Sequence, residues 1–167
     1  MRDHGASKIK NKPIKKIFLK YDPRLKEKFR KREIQENWRG KYKVFDRDDL
    51  RLALSQTSYH FAEWYVARHF AKKGYGVLIE KYTCKNHPEK TRILEKLFKP
   101  NDIKFISELN FPDLLVYKGN EFFFVEVKMD NDRIFKEQEE SFKKLKKRFG
   151  REVMICELKP RKKYLKN

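Results

Sequence analysis

The clearest hydrophobic patterning lies in two runs of β-branched and aromatic residues, 114–117 and 122–127, on either side of Gly119-Asn120. Such runs predict strands, and a Gly-Asn pair between them predicts a hairpin with a two-residue primed turn. Pairing Lys118 with Glu121 puts Leu115 opposite Phe124 and Asp113 opposite Glu126. Directly opposed residues share a face, and alternation along the strand adds Lys128 to the face of Glu126 while Phe123, Val125 and Val127 point the other way. Residues 48–73 have helical periodicity, with an interruption near 55–58 and a natural stop at Gly74. Residues 76–82 predict a first core strand, 91–98 a short helix closed by Pro100 with Glu89, Arg92 and Lys96 outward, and 152–158 a last strand. Asp132 is the expected N-cap of a helix that ends before Gly150. Helix, strand, hairpin, helix and strand in that order give an α/β fold, a mixed central sheet flanked by helices.

The first residues follow a different pattern. Residues 1–20 are Lys-rich, with Ile14, Ile17, Phe18 and Leu19 as their apolar cluster, and predict disorder or an arm that orders on binding. Asp22-Pro23 predicts a mostly polar helix over 24–37, ended by Gly40, after which Tyr42, Val44 and Phe45 dock the segment onto the body. Trp38 is expected to pack against protein, stacking on a base being the alternative. The chain divides into a basic, helical or disordered arm (1–47), a core domain (48–158) and a basic tail (159–167).

Charge sharpens this division. The chain carries +19 over 167 residues. Residues 1–47 hold 17 Lys/Arg against 6 Asp/Glu, residues 159–167 hold 5 against none, and the middle holds 21 against 18. Basic ends on a nearly neutral body suit phosphate-backbone binding, with DNA the leading partner, although ribosomal RNA, an anionic membrane surface or simple solubility meets the same electrostatics. No run approaches the ~20 apolar residues of a membrane span, and no apolar h-region marks a secretory signal. Cys84 and Cys156 make no disulfide framework. The expected location is cytoplasmic or nucleoid-associated. Cys84 and His87 lack the second ligand pair that zinc requires, so zinc is not expected. Cys156 reads as a packing residue.

Candidate chemistry gathers at the hairpin's end. Opposed carboxylates on a sheet repel. Asp113 and Glu126 therefore need an offset, which Lys128 supplies in part and a hard cation such as Mg²⁺ supplies through oxygen ligands. A divalent ion beside an ammonium suits phosphodiester hydrolysis. An ordinary Glu126–Lys128 salt bridge is the alternative. Two polar residues interrupt apolar stripes: Glu63 lies among Tyr59, Val66 and Phe70, and Gln138 among Ile134, Phe142, Leu145 and Phe149. An inward carboxylate needs a partner or a metal, Arg68 or Lys72 being the other choices for Glu63. Gln138 would reach Lys128, the attacking water or a phosphate, or be satisfied by backbone. The outer face of that helix carries the basic run Lys143, Lys144, Lys146, Lys147 and Arg148.

Pro112-Asp113 followed by Glu126-Val127-Lys128 resembles the signature of the PD-(D/E)XK nuclease superfamily. Phe124-Val125-Glu126-Val127-Lys128, then Asp132-Arg133-Ile134 and Gln138, is similar to its VRR-NUC branch. Asn110 or Phe111 stands where that pattern often has glycine, and Met129-Asp130 where it often has Gly-Pro. The resemblance spans residues 59–158 and implies a restriction-endonuclease-like fold. It also implies Mg²⁺, with Mn²⁺ as a substitute, held by Asp113, Glu126, the Val127 carbonyl and Glu63. Lys128 would position or activate water, assisted by Gln138. The implied activity is a DNA endonuclease acting on branched or flapped structures, in some members as a homodimer. An RNA nuclease, or a non-catalytic nucleic-acid-binding accessory protein on the same scaffold, is the alternative.

Overall fold

The computed structural model describes residues 15–42, 45–80, 82 and 87–162. Five strands, β1 (Lys16–Tyr21), β2 (Gly76–Ile79), β3 (Leu114–Lys118), β4 (Glu121–Met129) and β5 (Met154–Pro160), form one sheet in the order β1-β5-β4-β3-β2. β1, β5 and β4 run parallel, whereas β3 is antiparallel to both β4 and β2. Among the described residues seven helices flank this mixed sheet: α1 (Pro23–Arg30), α2 (Gln35–Tyr42), α3 (Arg47–Ser55), α4 (Phe61–Ala71), α5 (Pro88–Leu97), α6 (Pro100–Ser107) and α7 (Lys136–Phe149).

The hairpin has the predicted register, with Lys118 opposite Glu121 and Leu115 opposite Phe124. Gly119 at φ +59° takes the left-handed first position, and Asn120 is not in that region, as in a type II′ turn. Alternation splits the core in two. Leu114, Val116, Val125 and Val127 pack with Phe61, Trp64 and Phe70 of α4 and with Phe29 and Trp38. Leu115, Phe124 and Ile155 face Leu94, Ile106, Phe142 and Leu145 on the opposite side. Gly76 lies opposite Tyr117, whose ring Cζ would sit 2.2 Å from any added Cβ, so a side chain there displaces the ring.

The basic N-terminal segment is helical over α1 and α2, and Asp22 caps α1 by accepting the Arg24 N–H at 2.9 Å. Lys16–Tyr21 differs from the expectation of disorder or a binding-ordered arm. It is an edge strand beside β5, because Ile17, Leu19 and Tyr21 alternate onto the core. Residues 1–14, Val44, Cys84 and the tail beyond 162 lie outside the described residues. The expected single helix over 24–37 is broken at Arg32 (φ +64°), where Gln35 Nε2 donates to the Phe29 carbonyl at 2.6 Å. Gly40 lies inside α2 rather than ending it. Trp38 is buried against Phe29 and Phe61, and Phe45 stacks on Trp64 at 3.7 Å. Helix 48–73 is interrupted as predicted, between Ser55 and Phe61.

Two boundaries are corrected. Pro100 opens α6 at a position where its missing N–H costs nothing, rather than only closing α5. Asp132 is not the N-cap of α7. Its carboxylate accepts the Met129 N–H at 3.4 Å across a turn that Asp130 makes at φ +58°, and the helix starts four residues later.

Candidate active site

Asp113 immediately precedes β3, and Glu126 and Lys128 sit on neighbouring β4. Asp113 Oδ2 accepts the Val127 N–H at 2.8 Å, which joins the two strands where the hairpin ladder ends. Tyr82, fully buried, donates its hydroxyl to the Pro112 carbonyl at 3.0 Å and so fixes the residue before Asp113. Glu126 is 2% exposed. Its Oε1 takes the Lys128 ammonium at 2.8 Å and Gln138 Nε2 at 2.7 Å. Gln138 Oε1 accepts from Lys128 Nζ at 3.2 Å and from the Phe135 N–H at 3.1 Å. One side chain thus opens α7 and ties the helix to both residues on β4. The inward position read from the stripe is where Gln138 lies.

Glu63 enters from the first turn of α4. Its Oε2 is buried with no hydrogen-bond partner among the described residues, and neither Arg68 nor Lys72 pairs with it. Burial pushes its carboxyl up to about 8, aided by the charges of Asp113, Glu80 and Glu126. Asp113 is raised as well, by burial and then by Glu126, against the pull of the Val127 N–H and Lys128. The Tyr82 hydroxyl is raised by burial and by the same two acids. Burial is the first cause of all three shifts, and the neighbouring acids add to it. Direct contacts join Asp113 to the Val127 N–H and Glu126 to Lys128 and Gln138. Glu63 is near enough for Asp113 and Glu126 to raise it, although the ligand group it forms among the described residues is with His60 and Glu80. The Val127 side chain packs with Phe61 and Trp64 of α4.

Two residues that patterning did not single out complete the cluster. Glu80 follows β2 in a strained conformation (φ +27°), with its N–H on the Asp113 carbonyl at 2.8 Å. Its carboxylate lies with His60 and Glu63 as a group able to hold a metal ion, and the His60 to Glu80 distance is 3.9 Å. Lys90, 3% exposed, sends its ammonium to Asp49 Oδ1 at 2.7 Å and to the carbonyls of Ile79 at 2.9 Å and Glu80 at 3.4 Å. It therefore holds the end of β2 in place. The positive φ at Glu80 was not legible without the fold, because it comes from satisfying Lys90 and Asp113 together.

His87, considered with Cys84 for zinc, faces carboxylates instead: its Nδ1 is 3.1 Å from Asp48 Oδ2 and 3.6 Å from Asp46 Oδ2. Cys156 is buried and its thiol is pushed up to about 12, which fits a packing role. No helix among the described residues is long and apolar enough to cross a membrane.

No curated protein and no solved structure matches the chain. A family match does exist, to the VRR-NUC domain, and it covers residues 61–160, from the first residue of α4 to the last of β5. Every acid of the cluster, together with Lys128 and Gln138, falls inside those bounds. The domain implies a nuclease-like function and a nucleic-acid substrate. By that match, over more than half its length, the chain belongs to the VRR-NUC family of the PD-(D/E)XK nuclease superfamily.

Proposed function

We propose that the chain is a Mg²⁺-dependent endonuclease that hydrolyses phosphodiester bonds in DNA, with branched or flapped structures as its targets. The observation that carries this reading is the buried Oε2 of Glu63, which has no hydrogen-bond partner among the described residues and stands among carboxylates that repel one another. A stable fold rarely leaves a buried carboxylate oxygen unsatisfied. The hydrogen bonds made to Asp113 and Glu126 by described residues fall on one oxygen of each, Oδ2 and Oε1. Each acid therefore keeps an oxygen for a ligand, and an all-oxygen donor set suits a hard divalent ion.

Asp113, Glu126 and the Val127 carbonyl would hold Mg²⁺, with Glu63 as a further ligand and Mn²⁺ as a substitute. When bound, the ion supplies Lewis-acid polarisation of a phosphoryl oxygen and acidifies water. The protein's own groups do the rest. Lys128, anchored by Glu126 and Gln138, keeps a third N–H to orient the attacking water or to balance charge on the phosphoryl oxygens. Gln138 positions Lys128 and Glu126 relative to each other. The basic ends of the chain supply affinity for the phosphate backbone with little sequence readout.

The test is incubation of labelled duplex, flapped DNA and RNA with Mg²⁺, Mn²⁺ or EDTA. Metal-dependent cutting of DNA that disappears in Glu126→Ala and Lys128→Ala is expected. Binding without cleavage under every metal would replace the enzyme with an accessory protein, and cutting that persists in both variants would place the chemistry elsewhere.

A further inference from the structure

At the other end of the sheet from the acids, where α4 and α7 finish, a cleft of about 890 Å³ opens between β1, β4, β5 and the C-terminal ends of those helices. Its chemistry is the reverse of the acid cluster's. Lys15, Lys73, Lys146 and Arg151 line it against a single acid, Glu152. Lys146 is neutralised by Glu152 at 2.6 Å, whereas Lys15, Lys73 and Arg151 have no carboxylate within 4.0 Å among the described residues. Positive potential is felt inside it. The imidazole of His69, another lining residue, is lowered by burial and then by Lys73 and Lys72. The floor is aromatic, with Tyr75 and Phe123 partly exposed and set edge to face at 5.8 Å.

We infer that this cleft is a second nucleic-acid site, which takes a single-stranded stretch of substrate with its phosphates on Lys15, Lys73 and Arg151 and one unstacked base against Tyr75 or Phe123. Cations without acid partners beside aromatic faces are what a single strand uses: charge follows the backbone, and stacking accepts any base. The chain's own residues 1–14 are a poorer occupant, since they carry four Lys/Arg and one Asp and would add like charge. An acidic peptide would satisfy the cations but would leave the aromatic floor unused. Phe123 and Lys128 lie on the same strand five residues apart. That is about 17 Å along β4, and the odd separation sets the two side chains on opposite faces of the sheet, so a strand that reaches both must span more than that distance. The spacing argument rests on the nuclease reading, whereas the binding argument does not.

Binding is therefore measured first without metal, by fluorescence anisotropy of the full chain with a thymidine 12-mer in EDTA. Replacing Lys15, Lys73 and Arg151 together by Gln is expected to weaken binding at least tenfold. It should also flatten the dependence of log K on log salt by about 2. Tyr75→Leu should weaken the 12-mer but not an abasic strand of equal length. In Mg²⁺, the Lys73→Gln/Arg151→Gln double variant should lose efficiency on DNA long enough to reach from the cut to the cleft and cut DNA too short to do so at the unaltered rate. An unchanged salt slope, equal loss on the abasic strand, or a stronger effect on polyglutamate than on the 12-mer would overturn the site. Absence of cutting by the unaltered chain, with the binding differences intact, would overturn the nuclease reading alone.

Discussion

Two groups of buried charge meet at the end of β2, and burial raises a carboxyl in each, Asp49 to about 6 and Glu63 to about 8, but the fold partners them to different degrees. Lys90 and Asp49 are nearly inaccessible, yet the ammonium has a carboxylate at 2.7 Å and a carbonyl at 2.9 Å. Glu63, between the core aromatics Phe61 and Trp64 on α4, has a buried oxygen with no hydrogen-bond partner among the described residues. A buried charge that is paired and hydrogen-bonded belongs to the architecture, whereas one left unpaired costs stability and persists only where something else uses it. The clusters meet at Glu80. Its carbonyl accepts from Lys90 and its N–H donates to the Asp113 carbonyl, so the paired lysine and aspartate hold the turn from which Glu80 reaches Glu63 and Asp113 is fixed.

The sharpest way to break that comparison is to take away the satisfied cation. Lys90→Met strands the Asp49 carboxylate and frees the end of β2, and the expected loss is about 3–5 kcal/mol of unfolding free energy in urea. A variant of unaltered stability would show that Lys90 is not structural. Glu126→Gln should do the converse. Cleavage is expected to fall about a thousandfold, or about 4 kcal/mol of transition-state stabilisation, with the urea midpoint moved little, because the amide oxygen can still accept from Lys128 and Gln138 and no longer repels Asp113. A large shift in that midpoint would make Glu126 architectural after all.

Glu63→Gln has a smaller effect, and pH gives its sign. The carboxyl is raised from 4.5 to about 8, so between those values the native state holds a proton that the unfolded chain has released. Metal-free stability therefore falls as pH rises through that window. The neutral isostere should flatten the fall and stabilise the metal-free protein at pH 8 by on the order of 2–4 kcal/mol, while weakening Mn²⁺ binding in calorimetry. Mn²⁺ affinity of the unaltered chain should climb with pH up to about 8 and then level, since ion and proton compete for the same oxygens. An equally steep melting-temperature profile in Glu63→Gln would remove this residue from the cluster's titration.

What was legible in the sequence was whatever depends on local pattern. The Gly119 turn fixed a register that put Asp113 beside Glu126, and the helical stripes gave away Glu63 and Gln138 as polar residues facing inward. Lys90 was not legible, because it falls just before the helix expected over 91–98, whose true start is Pro88, and its partner Asp49 lies forty-one residues upstream. Glu80 falls inside the strand expected over 76–82, whereas β2 ends at Ile79 and the Glu80 N–H turns onto the Asp113 carbonyl. Lys16–Tyr21 was masked by composition: alternate lysines conceal a period-two apolar row that becomes evident only with β5 beside it.

The smallest effect belongs to Gln138, and it separates positioning from mere support. Its side chain makes three bonds, to Lys128, to Glu126 and to the Phe135 N–H at the start of α7. Gln138→Ala deletes all three, so the helix start should lose about 1 kcal/mol whatever happens at the acids. Cleavage should fall about tenfold, because Lys128 keeps Glu126 as its partner but is no longer held in one rotamer. If Gln138 acts through Lys128, its removal should cost almost nothing further once Lys128→Ala is present. Additive losses in that double variant would mean a direct contact with the substrate, whereas a tenfold loss that tracks the melting temperature alone would mean that the residue only caps its helix.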